Sequence, residues 1–416
     1  MASYLYTLNK RFFAVAICTS FFVASCSNTT ETNDTDKPKS IANINAAYCP
    51  AGSENVALNL SGITLKREPD IPLMYQGYNN IEGPVWYDGA LYYSNMGSHP
   101  ADENGFELSN QTTIWRWATN EKPQVWMPDS VIKNSGIKNP EMKNTEIKNT
   151  GLKNTGAGTN GLALDNQGNL VAARQLDGSL SYIDWQTKQV TTIAAGFQNK
   201  RFNSPNDLTI SHDNTIYFTD PNWNTPSNIS ANDIQGGGPA GSTEKGQRIY
   251  RVTANGNVNA TAVTDLVPAL RDKPNGIILS LNQQQIIIGG LQGLWVFDLN
   301  AGKVSNPQQL LTTPIDGLGK DCSGNIYITT TRALPARIDS QVVVVLDKNY
   351  KEVGELNVPG IHIVTNVAFG GDNGKTLFVT GLTAPMDGDK LRQCGEASCL
   401  AAGIYTTQLN VQGFPY

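Results

Sequence analysis

A hairpin pattern recurs six times along this chain. Each copy has a short apolar stretch, a polar turn and a second stretch rich in β-branched and aromatic residues, which is typical of two antiparallel strands. One copy runs from Ile315 to Ile328, with its turn at Asp321 to Gly324. Every copy begins with a carboxylate or amide side chain, and these six residues are Glu82, Asn160, Asn206, Asn275, Asp316 and Asn366.

The spacing of the copies indicates the fold. Their first residues lie 78, 46, 69, 41 and 50 residues apart, which is the period of propeller blades with insertions in the long intervals. The sequence therefore predicts an all-β chain folded as a six-bladed β-propeller. Because equivalent positions on the innermost strands converge on the central channel, the six polar side chains would face one point. Carboxylate and amide oxygens are the ligands of a hard cation such as calcium.

The composition agrees with one large β domain, expected over residues 46–416. Charged residues make up 16% of the chain and Gly and Pro number 39 and 21, which suits short strands joined by tight turns. Residues 53–77 are expected to supply an outer strand that closes the ring against residues 403–411. The net charge of −5 comes without a basic patch, so nucleic acid is not expected as a partner.

The first 25 residues have the features of a secretory lipoprotein signal peptide. Lys10-Arg11 precede 13 largely apolar residues, which are too few to span a bilayer comfortably. The stretch Val23 to Cys26 resembles the lipobox of bacterial lipoproteins, in which the cysteine is acylated; an ordinary signal peptide is the alternative. Residues 26–45 lack apolar periodicity and are predicted to be a disordered tether. Since Ser27 stands where an inner-membrane retention signal has Asp, we expect an outer-membrane lipoprotein in the cell envelope, facing the periplasm.

A low-complexity insertion is predicted at residues 130–157. The pair Lys-Asn recurs every five residues from 133 to 153. Without these five units, 25 residues in all, the first interval would fall from 78 to 53 residues, close to the others. We therefore expect a surface insertion in an ordinary blade; a small coil with its apolar residues inward is the alternative.

Four cysteines would remain in the exported, lipid-modified protein, and they are Cys49, Cys322, Cys394 and Cys399. Structural disulfides are expected in an oxidising compartment. Cys394 and Cys399 could close a small loop, which would leave Cys49 with Cys322. The spacing leaves all three pairings open.

Several motifs together resemble one known family. They are Glu82-Gly-Pro-Val-Trp, Asn203-Ser-Pro-Asn-Asp-Leu with Tyr217-Phe-Thr-Asp-Pro221, Lys273-Pro-Asn-Gly, Asp316-Gly and Thr365-Asn-Val-Ala-Phe-Gly-Gly371. In this order they are similar to the SMP-30/gluconolactonase/luciferin-regenerating-enzyme-like family, over roughly residues 70–412. The resemblance implies a six-bladed propeller that holds one divalent metal in its channel and hydrolyses a lactone or another ester.

The resemblance also assigns roles to residues of this chain. The metal ligands would be Glu82, Asn206, Asn275 and Asp316, with Ca²⁺ preferred and Zn²⁺, Mg²⁺ or Mn²⁺ as alternatives. Asp207 and Asp316 are the catalytic candidates, and Asn160, Asn206 and Arg174 the substrate contacts. Two departures from the family pattern leave the substrate open: Asn95 stands where Asp is common, and Arg174-Gln-Leu replaces Glu-His-Gly.

The chemistry implied is metal-assisted hydrolysis. A metal can polarise the lactone carbonyl and orient water, while Asp207 or Asp316 accepts the proton. Two alternatives use the same scaffold: a calcium-braced binding propeller without catalysis on the cell envelope, and a phosphotriesterase- or strictosidine-synthase-like enzyme. For Asn160 and Asn366, capping of a local turn is a further alternative.

Overall fold

Short strands joined by polar turns form six antiparallel sheets, one for each hairpin copy. Within most blades the four strands follow one another in sequence, because a short turn favours pairing of consecutive strands. The coordinates are a computed structural model that describes residues 49–68, 79–98, 109–127, 158–223, 225, 230, 232–236, 246–334, 337–383, 386–387, 390–391 and 401–414. Within these ranges no helix is long and apolar enough to cross a bilayer.

The first half of the chain forms blades 1 to 3. A 3-10 turn at Ser53–Asn55 and strand β1 (Lys66–Arg67) precede them. Blade 1 contains β2 (Asn79–Tyr87), β3 (Ala90–Ser98), β4 (Ser109–Trp117) and β5 (Gln124–Met127). Blade 2 contains β6 (Thr159–Leu164), β7 (Leu170–Arg174), β8 (Ser179–Ile183) and β9 (Val190–Ala194). A small ribbon of β10 (Gly196–Phe197) and β11 (Lys200–Arg201) leads to blade 3, which contains β12 (Leu208–Ile210), β13 (Ile216–Asp220), β14 (Arg248–Val252) and β15 (Val258–Ala260).

The second half forms blades 4 to 6. One helical turn, α1 (Val263–Leu266), and a 3-10 turn at Pro268–Arg271 precede blade 4, with β16 (Pro274–Leu279), β17 (Gln285–Gly290), β18 (Gly293–Asn300) and β19 (Lys303–Leu311). Blade 5 has β20 (Ile315–Asp321), β21 (Ile326–Leu334), β22 (Arg337–Leu346) and β23 (Glu352–Asn357). Blade 6 has β24 (Ile361–Gly370), β25 (Thr376–Thr383) and β28 (Ala401–Gln408). Between β25 and β28 the chain forms a two-stranded ribbon of β26 (Met386–Asp387) and β27 (Lys390–Leu391). The last strand, β29 (Gly413–Phe414), ends the described chain and pairs with β20 of blade 5. The predicted six-bladed all-β propeller is thereby confirmed.

The ring is closed by the two ends of the described chain. In blade 6 the strand order from the channel outward is β24, β25, β28 and β1. The outermost strand comes from the N-terminal side, with Lys66 opposite Thr406 and Arg67 opposite Tyr405. This pairing agrees with the predicted closing strand.

The hydrophobic core lies between blades. Six buried clusters occur among the described residues, one at each junction between neighbouring blades. The junction of blades 6 and 1 packs Phe378 and Ile404 against Leu91 and Trp115. Because each blade buries both faces, the strands are apolar on both sides, as Val342 to Val345 are.

A disulfide attaches the N-terminal segment to blade 5. Cys49 is bonded to Cys322, which lies in the turn after β20, and their Cα atoms are 5.3 Å apart. Ser323 Oγ lies 2.8 Å from the carbonyl oxygens of both Ser53 and Val56. The segment before β1 is thus held against the end of the propeller at which the inner hairpins turn. Cys394, Cys399, Cys26 and residues 130–157 lie outside the described residues.

One lysine is buried in blade 5. The Lys320 side chain donates from Nζ to the carbonyl of Leu279 at 2.8 Å and lies 4.5 Å from the centre of the Phe414 ring. Burial lowers the pKa of Lys320 to about 7. Below that pH the folded protein must hold a charged ammonium in an apolar site.

Lys320 should therefore make stability depend on pH in the alkaline range. Between pH 7 and pH 10 the unfolded chain keeps the proton on Lys320 and the folded chain does not, so the free energy of unfolding should rise with pH, by up to about 1.4 kcal/mol per pH unit. Denaturant unfolding at a series of pH values would measure this slope. The variant Lys320→Met should lose it; a slope that persists in the variant would show that other groups cause it.

Candidate active site

The six repeated polar residues meet at one end of the channel. Three of them, Asn160, Asn275 and Asp316, are the second residues of their inner strands. Glu82 is the fourth residue of β2, Asn366 lies in the middle of β24, and Asn206 lies just before β12. Contacts join them across blades: Asn366 Nδ2 is 3.3 Å from Glu82 Oε2, and Asn275 Nδ2 is 2.6 Å from Asp316 Oδ1. The inner strands all run from this end towards their hairpin turns. We call this end the site face and the other end the turn face.

Glycine after the polar residue allows the blades to approach so closely. A Cβ on Gly83, Gly161, Gly276 or Gly317 would lie less than 3.0 Å from the backbone or side chain of the next polar residue in the ring. At Gly161 the amide donates to the carbonyl of Asn206 at 2.7 Å. The polar residues were predicted from the sequence, but this role of the glycines was not. The repeated pairing of a polar residue with Gly was the available signal.

Blade 3 has an aspartate at the position of this glycine. Asp207 Oδ1 accepts from its neighbour Leu208 N at 2.9 Å, and Oδ2 lies 3.4 Å from Ile277 N of blade 4. Its carboxylate therefore bridges two blades beside Asn206. Two backbone amides hold it in a fixed orientation.

Two carboxylates of the site, Glu82 and Asp207, are buried, and Asp316 is half-buried. Burial raises the pKa of Asp207 to about 7. Burial, followed by the charges of Asp316 and Asp207, raises the pKa of Glu82 well above its usual range. The pKa of Asp316 is also raised, first by burial and further by Asp207, although the hydrogen bond from Asn275 opposes the shift. The site therefore concentrates negative charge that a bound cation would stabilise.

The donor set fits a hard divalent cation. Carboxylates of Glu82 and Asp316 and amide oxygens of Asn206 and Asn275 are the ligand types that calcium accepts. Within the described ranges no three His, Cys, Asp or Glu side chains group at metal-binding distance. Amides, Asn206 and Asn275, supply half of the predicted ligand set. Asn275 now points its amide nitrogen at Asp316, so metal binding would require its oxygen to turn inward.

A comparison with known families matches residues 81–383 to the SMP-30/Gluconolactonase/LRE-like region. The chain belongs to this family. A curated gluconolactonase of Zymomonas mobilis is 24% identical over 241 residues, which cover 54% of this chain and 60% of that protein. The chain thus aligns with less than two thirds of the length of that relative.

Solved structures of the family share the fold. One, a candidate gluconolactonase, is 20% identical and covers 87% of this chain and 98% of its own, with a TM-score of 0.55. Another, a gluconolactonase of Xanthomonas campestris, is 18% identical and covers 84% of this chain and 98% of its own, with a TM-score of 0.52. At these identities the likeness shows the propeller fold alone.

The residues predicted to contact the substrate have different surroundings in the structure. Asn160 reaches the site and its amide lies 3.3 Å from Gln175 Oε1. Arg174 is 2% exposed and forms an ion pair with Asp177. The substrate contact of Arg174 stays a prediction. Asn95 is also buried, at 2% exposure.

A buried polar network holds the loop that carries Asn206 and Asp207. Asp220 Oδ2 accepts from Asn203 N and Oδ1 accepts from Ser204 N, both at 2.9 Å. The Arg201 guanidinium donates to the carbonyls of Phe202 and Asn203 at 2.7 and 2.6 Å. Sequence reasoning missed Asp220 and Arg201, although Asp220 lies within one of the quoted motifs. Burial raises the pKa of Asp220 to about 7.

Replacing Asp220 should loosen this loop. Asp220→Asn would direct an amide N–H group at one of two backbone donors, which leaves a buried donor unpaired and should lower stability by about 1–3 kcal/mol. Thermal unfolding measures the change. The control Asp213→Asn alters an exposed carboxylate in the hairpin turn of the same blade and should cost less; equal losses in the two variants would contradict the role given to Asp220.

Proposed function

We propose that the protein is a metal-dependent lactonase of the gluconolactonase type, acting in the propeller channel. The observation that carries the proposal is that the carboxylates of Glu82, Asp207 and Asp316 lie at the same end of the channel, where amide side chains of neighbouring blades contact two of them: Asn366 contacts Glu82 and Asn275 contacts Asp316. Such an arrangement is costly without a cation. Family membership and the gluconolactonase relatives support lactone chemistry.

In this proposal Glu82, Asn206, Asn275 and Asp316 hold the metal, with Ca²⁺ preferred for an all-oxygen donor set. When bound, the metal supplies Lewis-acid polarisation of the carbonyl that is attacked. The side chains of Asn160 and Asn206 lie on the same face and would orient the lactone ring.

Asp207 is the proposed acceptor of the water proton. Its carboxylate lies beside Asn206 and is held by Leu208 N and Ile277 N, so it is preorganised for proton transfer. Asp316 is the alternative acceptor. As a metal ligand it would have less free capacity to accept a proton, which favours Asp207.

A metal-braced binding propeller without catalysis is the second candidate. The link from Asp207 to Ile277 N favours it, because a carboxylate that bridges blades 3 and 4 has a structural use without any reaction. A phosphotriesterase- or strictosidine-synthase-like enzyme on the same scaffold would act on a different substrate. Assays with phosphotriesters and aryl esters would distinguish it from a lactonase.

We further propose export as a lipoprotein acylated at Cys26, with an envelope location. The motif at Val23 to Cys26 supports it, and the Cys49–Cys322 disulfide is typical of an oxidising compartment. Mass spectrometry of the membrane fraction should find an acylated Cys26 as the first residue. A soluble product cleaved elsewhere would contradict it.

Activity should depend on metal and on a lactone substrate. Aldonolactones and simpler lactones, assayed by acid release before and after metal stripping, should be hydrolysed only when calcium is present. Phosphotriesters and aryl esters belong in the same panel. Calcium binding measured by calorimetry without turnover of any ester would favour the binding propeller.

Asp207→Asn tests the catalytic role directly. Loss of a general base should lower kcat by about 10²–10⁴-fold, while calcium should still bind at saturating concentration because Asp207 is outside the proposed ligand set. The exposed turn variant Asp372→Asn is the control and should keep full activity. An unchanged kcat in Asp207→Asn, with calcium still bound, would remove Asp207 from the mechanism.

A further inference from the structure

A chain of three side chains connects blade 1 to the candidate site. Gln175 directly follows β7, and its Nε2 lies 2.8 Å from the sulfur of Met96 in β3 of blade 1. Its Oε1 accepts from Asn160 Nδ2 at 3.3 Å. Gln175 is 1% exposed and Asn160 is 5% exposed, so bulk water does not compete for these contacts. Neither Gln175 nor Met96 was assigned a role from the sequence.

The sulfur of Met96 sets the direction of both amides. A thioether sulfur can only accept a hydrogen bond, so the end of Gln175 that faces it must be the NH2 group. Gln175 therefore presents its oxygen to Asn160. Since that oxygen needs a donor, Asn160 must present its own NH2 group there and turn its carbonyl oxygen away. One acceptor atom in blade 1 thus determines how an amide of the site is oriented.

The backbone of Asn160 is held from both neighbouring blades. Its main-chain carbonyl oxygen accepts from Ser94 Oγ of blade 1 at 2.7 Å. The next amide, that of Gly161, donates to the carbonyl of Asn206 beside blade 3 at 2.7 Å. Because the backbone is fixed, rotation of the side chain is the freedom that the contact with Gln175 removes.

The side-chain oxygen of Asn160 keeps access to the channel. It accepts no hydrogen bond from the residues that the structure describes. It is also not one of the fully buried, unpaired side-chain atoms of those residues. A ligand that reaches this position therefore meets the oxygen of the Asn160 amide and not its NH2 group.

We propose that Gln175, oriented by Met96, is a positioning residue that makes Asn160 a hydrogen-bond acceptor. Asn160 then selects a substrate with a hydroxyl group at this position of the lactone ring. A hydroxyl group can donate to the oxygen, whereas a fluorine, keto or carboxylate group offers acceptors alone and leaves the oxygen unpaired. The proposal rests on the proposed lactonase function and adds a group by which one lactone is distinguished from another.

Ligand analogues test the proposal through binding, without turnover. Polyhydroxylated lactams have the ring and hydroxyl groups of an aldonolactone but resist hydrolysis, and in a set of them each hydroxyl in turn is replaced by fluorine. Calorimetry with the calcium-loaded protein should find a fluoro analogue that binds about tenfold more weakly than the parent lactam, which is the loss expected for one hydrogen bond. Equal binding of every analogue, or no binding of the parent, would overturn the proposal.

Variants of the two supporting residues assign this difference. Gln175→Leu removes the acceptor that holds the Asn160 amide, so Asn160 can rotate and donate, and the tenfold difference should fall below about threefold. Met96→Leu conserves volume but removes the sulfur, so Gln175 can reverse and the difference should fall in the same direction. Gln167→Leu, at an exposed position in the hairpin turn of the same blade, is the matched control and should keep it.

The ratio of the two affinities distinguishes positioning from a purely structural role. If Gln175 only stabilised the fold, its replacement would weaken binding of the parent and the fluoro analogue equally. An unchanged ratio in Gln175→Leu and Met96→Leu, or an equal fall in Gln167→Leu, would therefore overturn the proposal. Met96→Leu decides the question if Gln175→Leu does not fold.

Two further measurements separate this inference from the proposed function. Asn160→Ala should bind calcium as the native protein does, and a tenfold or greater loss of affinity would place the Asn160 oxygen on the metal and overturn the proposal. Lactone turnover is measured with the same proteins. Selective lactam binding without turnover of any lactone would contradict the proposed lactonase alone, whereas turnover without selectivity among the lactams would overturn the role of Gln175 alone.

Discussion

The close approach of neighbouring inner strands is the constraint on which the rest of the structure depends. At four of the six positions a glycine lets the backbone of one blade touch the polar residue of the next. This contact sets the radius of the ring, and the radius sets the distance between side chains that belong to different blades. A single methyl group at Gly276 would press against Asp316, so the same packing fixes both the fold and the site.

The site places buried charge where the fold would be more stable without it. Glu82, Asp207 and Asp316 are raised in pKa mainly by burial, which means that each charged form costs folding free energy. The amides of Asn275 and Asn366 offset part of that cost by donating to carboxylates in the neighbouring blades. An arrangement of this kind is typical of a site kept for binding or chemistry, because a structural channel could be filled with apolar side chains.

The sequence sufficed for the architecture because the repeat is local. Each hairpin has turn residues that stabilise its own turn: Asp321 accepts from Ser323 N and Asn325 N at 2.9 Å. Six such hairpin patterns, spaced by the length of a blade, define the ring. The positions of Glu82 and Asp316 followed from the same register. The network of Asp220 and Arg201 could not be predicted, because it joins a loop to the end of a strand through backbone groups that carry no side-chain signal. The burial of Arg174 likewise depends on Asp177 and on packing between blades, which a motif does not encode.

The closing strand has a consequence for how the protein is made. Lys66 pairs with Thr406, so the ring cannot close until nearly the whole chain has been synthesised. Contacts between residues so distant in sequence form slowly, since the intervening chain must first be ordered. The channel residues come from all six blades, and their full set exists only after the inner strand of blade 6 has packed against blade 1. A cation that bound there would therefore recognise the finished ring and not any partly folded precursor.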